Sequence, residues 1–285
     1  MDYTETANIY SQKLQEPEFK KIQDFMLTKL GVKLAPIKIV MVNSRLIKRL
    51  KASGIHNFPD YINYALSTEG IRSGEQQSMI DELTTHKTEF FRENEQFDFF
   101  KDEVLPEFVK NYRTPFKIWS AGCSSGEEAY TMAMLLNEFQ FNHFGFNFSI
   151  EGTDVSKAVV EKAIAGIYGG ANIAGLDEKL RKKYFIPFKD GKEDKIQAGN
   201  ALKDKVKFSV GNLANYVTYP NNMFDVIFCR NTLIYFEDNA KREVVNNLLR
   251  KIKLGGYLFV GLSETVSQYS KDIKQMRPSV YKKIG

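Results

Sequence analysis

The stretch Phe116-Lys117-Ile118-Trp119-Ser120-Ala121-Gly122-Cys123-Ser124-Ser125-Gly126-Glu127-Glu128-Ala129-Tyr130 decides the fold. It begins as a short strand ending in glycine, passes through a Gly/Ser loop, and enters a helix. That helix, Glu127 to Phe139, carries Tyr130, Met134, Leu135 and Phe139 on its apolar side. Small loop residues let the backbone approach a ligand closely, and a helix start offers unpaired N–H groups. The loop is neither G-x-G-x-x-G nor a phosphate loop with Gly-Lys-Ser. Glu127 and Glu128 at the helix start oppose an anion such as pyrophosphate, so a cationic or polar ligand suits it better. The same two acids also serve as ordinary caps of the helix dipole. This segment alone leaves both readings open.

Working outward, the rhythm repeats. Phe146–Asp154 reads as a strand and Ser156–Ala165 as a helix with Ser156 at its N-cap. Phe224–Cys229 is a further strand, followed by a helix from about Asn239 to Ile252 and the strand Tyr257–Gly261. Ser279–Lys283 closes the pattern as a last edge strand. Strands alternating with helices of this length predict an α/β fold with a doubly wound, mostly parallel sheet. Residues 183–211 break the rhythm. Tyr184–Phe188 and Val206–Val210 around the polar Lys189–Lys192 predict an inserted antiparallel β-subdomain. Residues 1–80 contain no strand-like alternation. Phe19, Ile22, Phe25, Met26 and Leu30 keep helical spacing up to Gly31, Met41–Lys51 repeats it, and Tyr61, Ile62, Ala65 and Leu66 follow Pro59. The predicted organisation is an all-helical domain over 1–80, a linker and site-lining helix over 81–115, and an α/β domain over 116–285 that carries the insert.

Composition limits the function classes. At about 150 residues per domain, 285 residues make roughly two domains. An apolar content of 43% with 26% charged residues excludes a disordered chain. Two cysteines exclude a disulfide scaffold. There is no apolar run of membrane-spanning length. The opening Met1-Asp2-Tyr3-Thr4-Glu5 is polar and acidic, unlike a signal peptide, so a cytoplasmic protein is expected. The three histidines, His56, His86 and His143, are scattered and make no metal spacing. A net charge of +5 is too small to argue nucleic acid.

Three further segments bear chemistry. Asp154 ends the second strand, where an acid commonly accepts hydrogen bonds from ribose hydroxyls. With the Gly/Ser loop beside it, the ligand role is favoured over a helix cap. In Thr84–Asn94 an Arg follows paired phenylalanines. Spacing alone makes that helix packing with a solvated Arg92. Phe228–Phe236 follows a central strand, and ligands of doubly wound sheets lie beyond the C-terminal strand ends, so Asn231 and Tyr235 face a site there. Cys123 and Cys229 read as small buried fillers.

Together these segments resemble the CheR family, the S-adenosylmethionine-dependent methyltransferases that methylate glutamates on bacterial chemoreceptors. The strings Phe90-Phe91-Arg92-Glu93, Gly126 to Tyr130, Gly166-Ile167-Tyr168, Asn212-Leu213, Cys229 to Phe236 and Gly261-Leu262-Ser263-Glu264 occur in the family's order. The resemblance spans about residue 15 to 283, and Asn43–Leu50 looks like part of the family's small helical domain. It implies a class I, Rossmann-like methyltransferase acting in signal transduction, a protein-glutamate O-methyltransferase with S-adenosylmethionine as cofactor and S-adenosylhomocysteine as product. It implies that His86, Thr88 and Arg92 line the cofactor, with Arg92 near the reacting centre. Glu128 binds cofactor at the loop, Asp154 holds the ribose hydroxyls, and Asn212 and Leu213 flank the adenine. Arg230 and Asn231 lie along the ligand, and Tyr235 reaches the methyl. Arg92 and Tyr235 are thereby the catalytic pair. The sequence departs from the family where His86 and Ala129 replace its frequent Asn and Pro. The chemistry is consistent: the donor is a sulfonium cation, and a glutamate acceptor with a reference pKa of about 4.3 is already ionised, so no general base is required.

From Phe25 to Pro59 there is no acid but seven bases, Lys29, Lys33, Lys38, Arg45, Lys48, Arg49 and Lys51. Arg45, Lys48 and Arg49 share a helix face by spacing. A solvated face is the plain reading. The resemblance implies instead docking onto the acidic cytoplasmic helices of methyl-accepting chemoreceptors. It also implies, for some members, a receptor C-terminal peptide held by the β-subdomain. A monomer without metal, nucleic acid or membrane insertion is expected. Two rivals remain: a silent cofactor-binding signalling adaptor, and a nucleic-acid methyltransferase. The latter is disfavoured because Arg230-Asn231-Thr232-Leu233 stands where an Asn-Pro-Pro-Tyr-like segment belongs.

Overall fold

The computed structural model describes residues 12–110, 115–190, 193–215 and 219–285. The opening residues 1–5 and positions 191–192 of the expected polar turn lie outside them. The chain divides into two compact units, one of residues 1–85 with 156–158 and 235–240, the other of the remainder.

In the first unit the helices Glu16–Leu30, Ile39–Ser53, Phe58–Ala65, Thr68–Ser73 and Glu75–Leu83 follow one another. Gly31 and Gly54 each stop a helix with a φ of 70°, a left-handed cap conformation that glycine adopts without a Cβ penalty. Asn57 and Ser67 start helices by accepting from the N–H of Asp60 and Gly70. Phe19, Ile22, Met26 and Leu30 are buried, as their spacing predicts, and join Leu46, Leu50, Tyr61 and Ile62 in the core, while Phe25 of the same predicted stripe is half-buried. Residues 235–240 group here because Lys33 N–H donates to the Tyr235 carbonyl at 3.0 Å and Glu237 N–H to that of Gly31 at 3.2 Å.

The second unit is built on strands β1 (Phe116–Ala121), β2 (Phe148–Asp154), β6 (Val206–Val210), β7 (Phe224–Cys229), β8 (Ile252–Val260), β9 (Ile273–Arg277) and β10 (Val280–Lys283), in the order β6-β2-β1-β7-β8-β10-β9. The first five run parallel; β10 pairs antiparallel with β8, and β9 antiparallel with β10. β7 is buried at every position, as a central parallel strand covered on both faces must be. Phe228 stacks on Phe259 with centroids 4.3 Å apart. A second sheet, order β3-β5-β4, joins β3 (Ile167–Tyr168), β5 (Glu193–Ala198) and β4 (Phe185–Asp190).

Two expectations are corrected. Val206–Val210 is not part of the antiparallel insert; as β6 it runs parallel to β2, with Phe208 opposite Gly152. The third strand of the insert is Ile167–Tyr168. Five residues of alternating polarity fit either sheet, and long-range pairing decides. Val280–Lys283 is not the edge either, because β9 pairs outside it.

Chain order explains where a site must lie. From β1 the chain moves outward through β2 to β6, then returns to build β7 and β8 on the other side. The switch between β1 and β7 leaves a crevice beyond the carboxyl ends of the strands. Asp154 ends a parallel strand on that edge, and the Gly122–Gly126 loop, Asn212, Arg230 and Gly261–Glu264 follow the ends of others. No helix of the described residues is long and apolar enough to cross a membrane.

Candidate active site

The loop after β1 is tied down by backbone. Gly122 and Cys123 N–H both donate to the Thr153 carbonyl, at 2.8 and 2.9 Å. Gly122 has φ 87°, and a Cβ there would meet Thr232 Oγ1 at 2.4 Å. The following turn at Ser124 aims its N–H at Asp154 Oδ2, 2.9 Å away, and its hydroxyl at the His86 carbonyl, 3.1 Å away. His86 and Asp154 are thus joined through Ser124. Gly211 N–H donates to the Asp154 carbonyl at 2.8 Å, which brings half-buried Asn212 and buried Leu213 to the same edge.

Glu128 points off the helix Glu127–Asn142 into a second cluster. Ser120 Oγ donates to Glu128 Oε1 at 2.6 Å, and Arg230 Nη1 lies 3.3 Å from Oε2. Burial pushes the Glu128 carboxyl up; the Arg230 charge and the Ser120 bond oppose this. The Arg230 side chain is only 2% exposed. It is held by Glu93 Oε2 at 3.1 Å, by the Arg92 carbonyl, and by the Phe97 ring 4.9 Å away. Asn231 Nδ2 donates to Glu93 Oε1 at 2.9 Å. Burial raises the Glu93 carboxyl, but bonds from Asn231 and Arg230 outweigh it and hold the group below its usual value. Arg92 is half-buried and donates Nη1 to the Lys87 carbonyl at 2.7 Å.

The structure brings Arg92, Glu128, Arg230 and Asn231 into one cluster, and His86, Asp154, Asn212 and Leu213 into another. Half-buried Thr88 lies on the segment between His86 and Arg92. Tyr235 ends the turn Leu233–Tyr235 and is 37% exposed. Sequence reading missed Glu93 and Glu264, although both close strings it had quoted. Glu127 is fully buried, bonded by Ser125 Oγ and Asn172 Nδ2. It lines a cleft of about 690 Å³ with His86, Lys162, Tyr168 and Asn172. Cys123 and Cys229 are buried, and burial pushes both thiols up. Both act as fillers.

Two side chains of the expected basic face are bonded within the helical unit. Arg45 Nη1 donates to the carbonyls of Glu82, Leu83 and Thr84 at 2.9 to 3.2 Å, capping the helix Glu75–Leu83. Arg49 forms a two-pronged pair with Glu75 at 3.0 and 2.6 Å, and Tyr61 also donates to that carboxylate. Of the three, only Lys48 is exposed.

A parallel sheet with its switch point at β1 and β7, a glycine loop lined by acids instead of cations, and an aspartate ending β2 suit a polar or cationic nucleoside ligand beyond the strand ends. Comparison with known proteins agrees. Residues 86–282 match the family described as CheR methyltransferase, SAM binding domain, and residues 17–84 match CheR methyltransferase, all-alpha domain. A chemotaxis protein methyltransferase of Borreliella burgdorferi is 36% identical over 276 residues, covering 95% of each chain. One from Klebsiella aerogenes is 32% identical, covering 94% of this chain and 90% of its own. Another from Escherichia coli is 32% identical over 94% of this chain and 91% of its own. The chain belongs to the CheR methyltransferase family. It is a methyltransferase that uses S-adenosylmethionine, and the donor set fits that cofactor: the half-buried Glu128 carboxylate suits an ammonium and Asp154 suits hydroxyls.

Proposed function

We propose that the chain transfers the methyl group of S-adenosylmethionine to glutamate side chains of methyl-accepting chemotaxis proteins. The products are glutamyl methyl esters, which serve chemotactic adaptation, and S-adenosylhomocysteine. One observation carries this reading: relatives named chemotaxis protein methyltransferase align over more than nine-tenths of the chain, through both the helical and the α/β parts. The cofactor supplies an electrophilic methyl on a sulfonium. In this reading Asp154 holds the ribose hydroxyls and Glu128 the ammonium. His86, Thr88 and Arg92 line the methionine end, Asn212 and Leu213 flank the adenine, and Arg230 and Asn231 complete the wall. The acceptor carboxylate is ionised at neutral pH and needs no base. Catalysis then rests on stripping its water and aligning it with the methyl, the work assigned to Arg92 and Tyr235.

Docking is assigned to the helical unit. Lys29, Lys33, Lys38, Lys48 and Lys51 are exposed in its acid-free stretch, as are the apolar Ile37 and Val40. Cations beside apolar side chains suit an acidic amphipathic helix such as a receptor's cytoplasmic helices present. β4, an outer strand of the three-stranded sheet, offers an edge to a receptor C-terminal peptide. The protein would act in the cytoplasm. The test is calorimetry with S-adenosylmethionine, then transfer of labelled methyl to receptor-containing membranes. Incorporation that alkali releases as methanol supports the ester. Label in nucleic acid, alkali-stable label, or binding without transfer overturns it.

A further inference from the structure

We infer that Glu264 is a positioning residue for methyl transfer, an anionic anchor that fixes the chain at Asn231. The inference rests on the reading of the Arg230–Tyr235 segment as part of the cofactor and methyl-transfer site. Glu264 Oε2 accepts from the N–H groups of Gly261 at 2.6 Å and Asn231 at 2.9 Å. Its Oε1 accepts from Ile234 N–H at 3.0 Å. The residue is 7% exposed. N–H groups from the loops after β7 and after β8 thus converge on one carboxylate, and charge-assisted bonds of this kind are the strong ones. A neutral amide in the same place has only one accepting oxygen.

What the anchor holds is an unfavourable turn. Asn231 has φ 53°, in the left-handed region that a non-glycine residue keeps only when its surroundings fix it. Glu264 grips its backbone and Glu93 grips its side chain. Gly261 is part of the same device, since a Cβ there would meet Asn231 Nδ2 at 2.7 Å, Asn231 N at 2.8 Å and Glu264 Oε2 at 2.9 Å. Small displacements of a positioning loop cost alignment steeply, so the anchor governs ligand geometry without touching the ligand.

Two variants of the full chain test this from opposite sides. Glu264→Gln removes one acceptor, and Gly261→Ala pushes the loop from beside the carboxylate. Each is titrated calorimetrically with S-adenosylmethionine at a temperature where it is folded. Both are expected to weaken the dissociation constant about tenfold, the equivalent of one good hydrogen bond. A purely structural role would lower melting temperature and binding stoichiometry and leave that constant alone. A dissociation constant within about twofold of the parent chain in both variants overturns the inference. Turnover per bound site is measured in parallel on receptor membranes. If the parent chain methylates no receptor, it is the substrate reading that has failed, and the binding constants still decide the role of Glu264.

Discussion

Single side chains at this site are governed by burial. Glu127 is fully enclosed, and burial raises its carboxyl above the usual value even though Ser125, Asn172 and Lys162 oppose the shift. A carboxyl raised on folding favours the native state while protonated. It loses that advantage as pH climbs from the unfolded value, about 4.3, through the folded one. Glu127→Gln should therefore gain stability relative to the parent chain as pH rises through that window, read by urea unfolding at several pH values. A parallel pH dependence in the two proteins would contradict the assignment. Arg92 and Tyr235 carry the proposed chemistry. Arg92→Ala should lower kcat/KM for receptor methylation by about a hundredfold, the scale of a lost electrostatic contact at a reacting centre. Tyr235→Phe should lower it by about tenfold, one hydrogen bond's worth. Wild-type transfer by both variants would remove them from the mechanism. Among these residues the acids of the Gly/Ser loop and Asp154 were legible in sequence because strand ends place them. Glu93 and Glu264 were not, because most of their partners lie thirty or more residues away on other loops.

Between elements, pairing decides what local pattern leaves open. β6 and the strands of the insert read alike, as short alternating segments near polar turns. The difference is Gly152 on β2: Phe208 of β6 occupies the space of its missing side chain, and a Cβ there would meet the ring at 2.5 Å. That fit is what seats β6 on the main sheet, and hence what brings Asn212 to the site edge. Gly152→Ala should destabilise the fold by about 1–3 kcal/mol through overpacking. The cost should shrink to about 0.5 kcal/mol or less when measured in a Phe208→Ala background, since the two positions share one space. Equal costs in both backgrounds would show that the ring is not the obstacle. β9 escaped the sequence reading for a similar reason. Its residues are mostly exposed, so no apolar alternation marks it, and only the hairpin with β10 makes it a strand.

At the scale of the whole chain, charge is partitioned between half-buried ties and exposed side chains. Seven bases in an acid-free stretch looked like one surface, yet half-buried Arg45 and Arg49 are bonded within the helical unit and five lysines are exposed. Replacing Lys33, Lys38 and Lys48 together by Glu should slow receptor methylation at low salt about tenfold, the lower end of electrostatic steering. The gap should close as salt rises, because exposed charges are screened beyond a Debye length of about 8 Å at physiological ionic strength. Calorimetry should find the affinity for S-adenosylmethionine unchanged. A rate insensitive to both the substitutions and the salt would place docking elsewhere.

The sequence by itself determined the helical unit, the alternating strands and helices, and the strand-end positions of the Gly/Ser loop, Asp154 and Asn231. All of these follow from local periodicity and from the rule that parallel sheets present ligand sites at their carboxyl ends. Only the tertiary structure decided which sheet takes β6, that Arg45 and Arg49 are tied within the helical unit, and that Glu93, Arg230, Asn231 and Glu264 form one largely buried network. Those outcomes depend on which distant groups meet and lose water together, and desolvation has no signature in the spacing of residues along a chain.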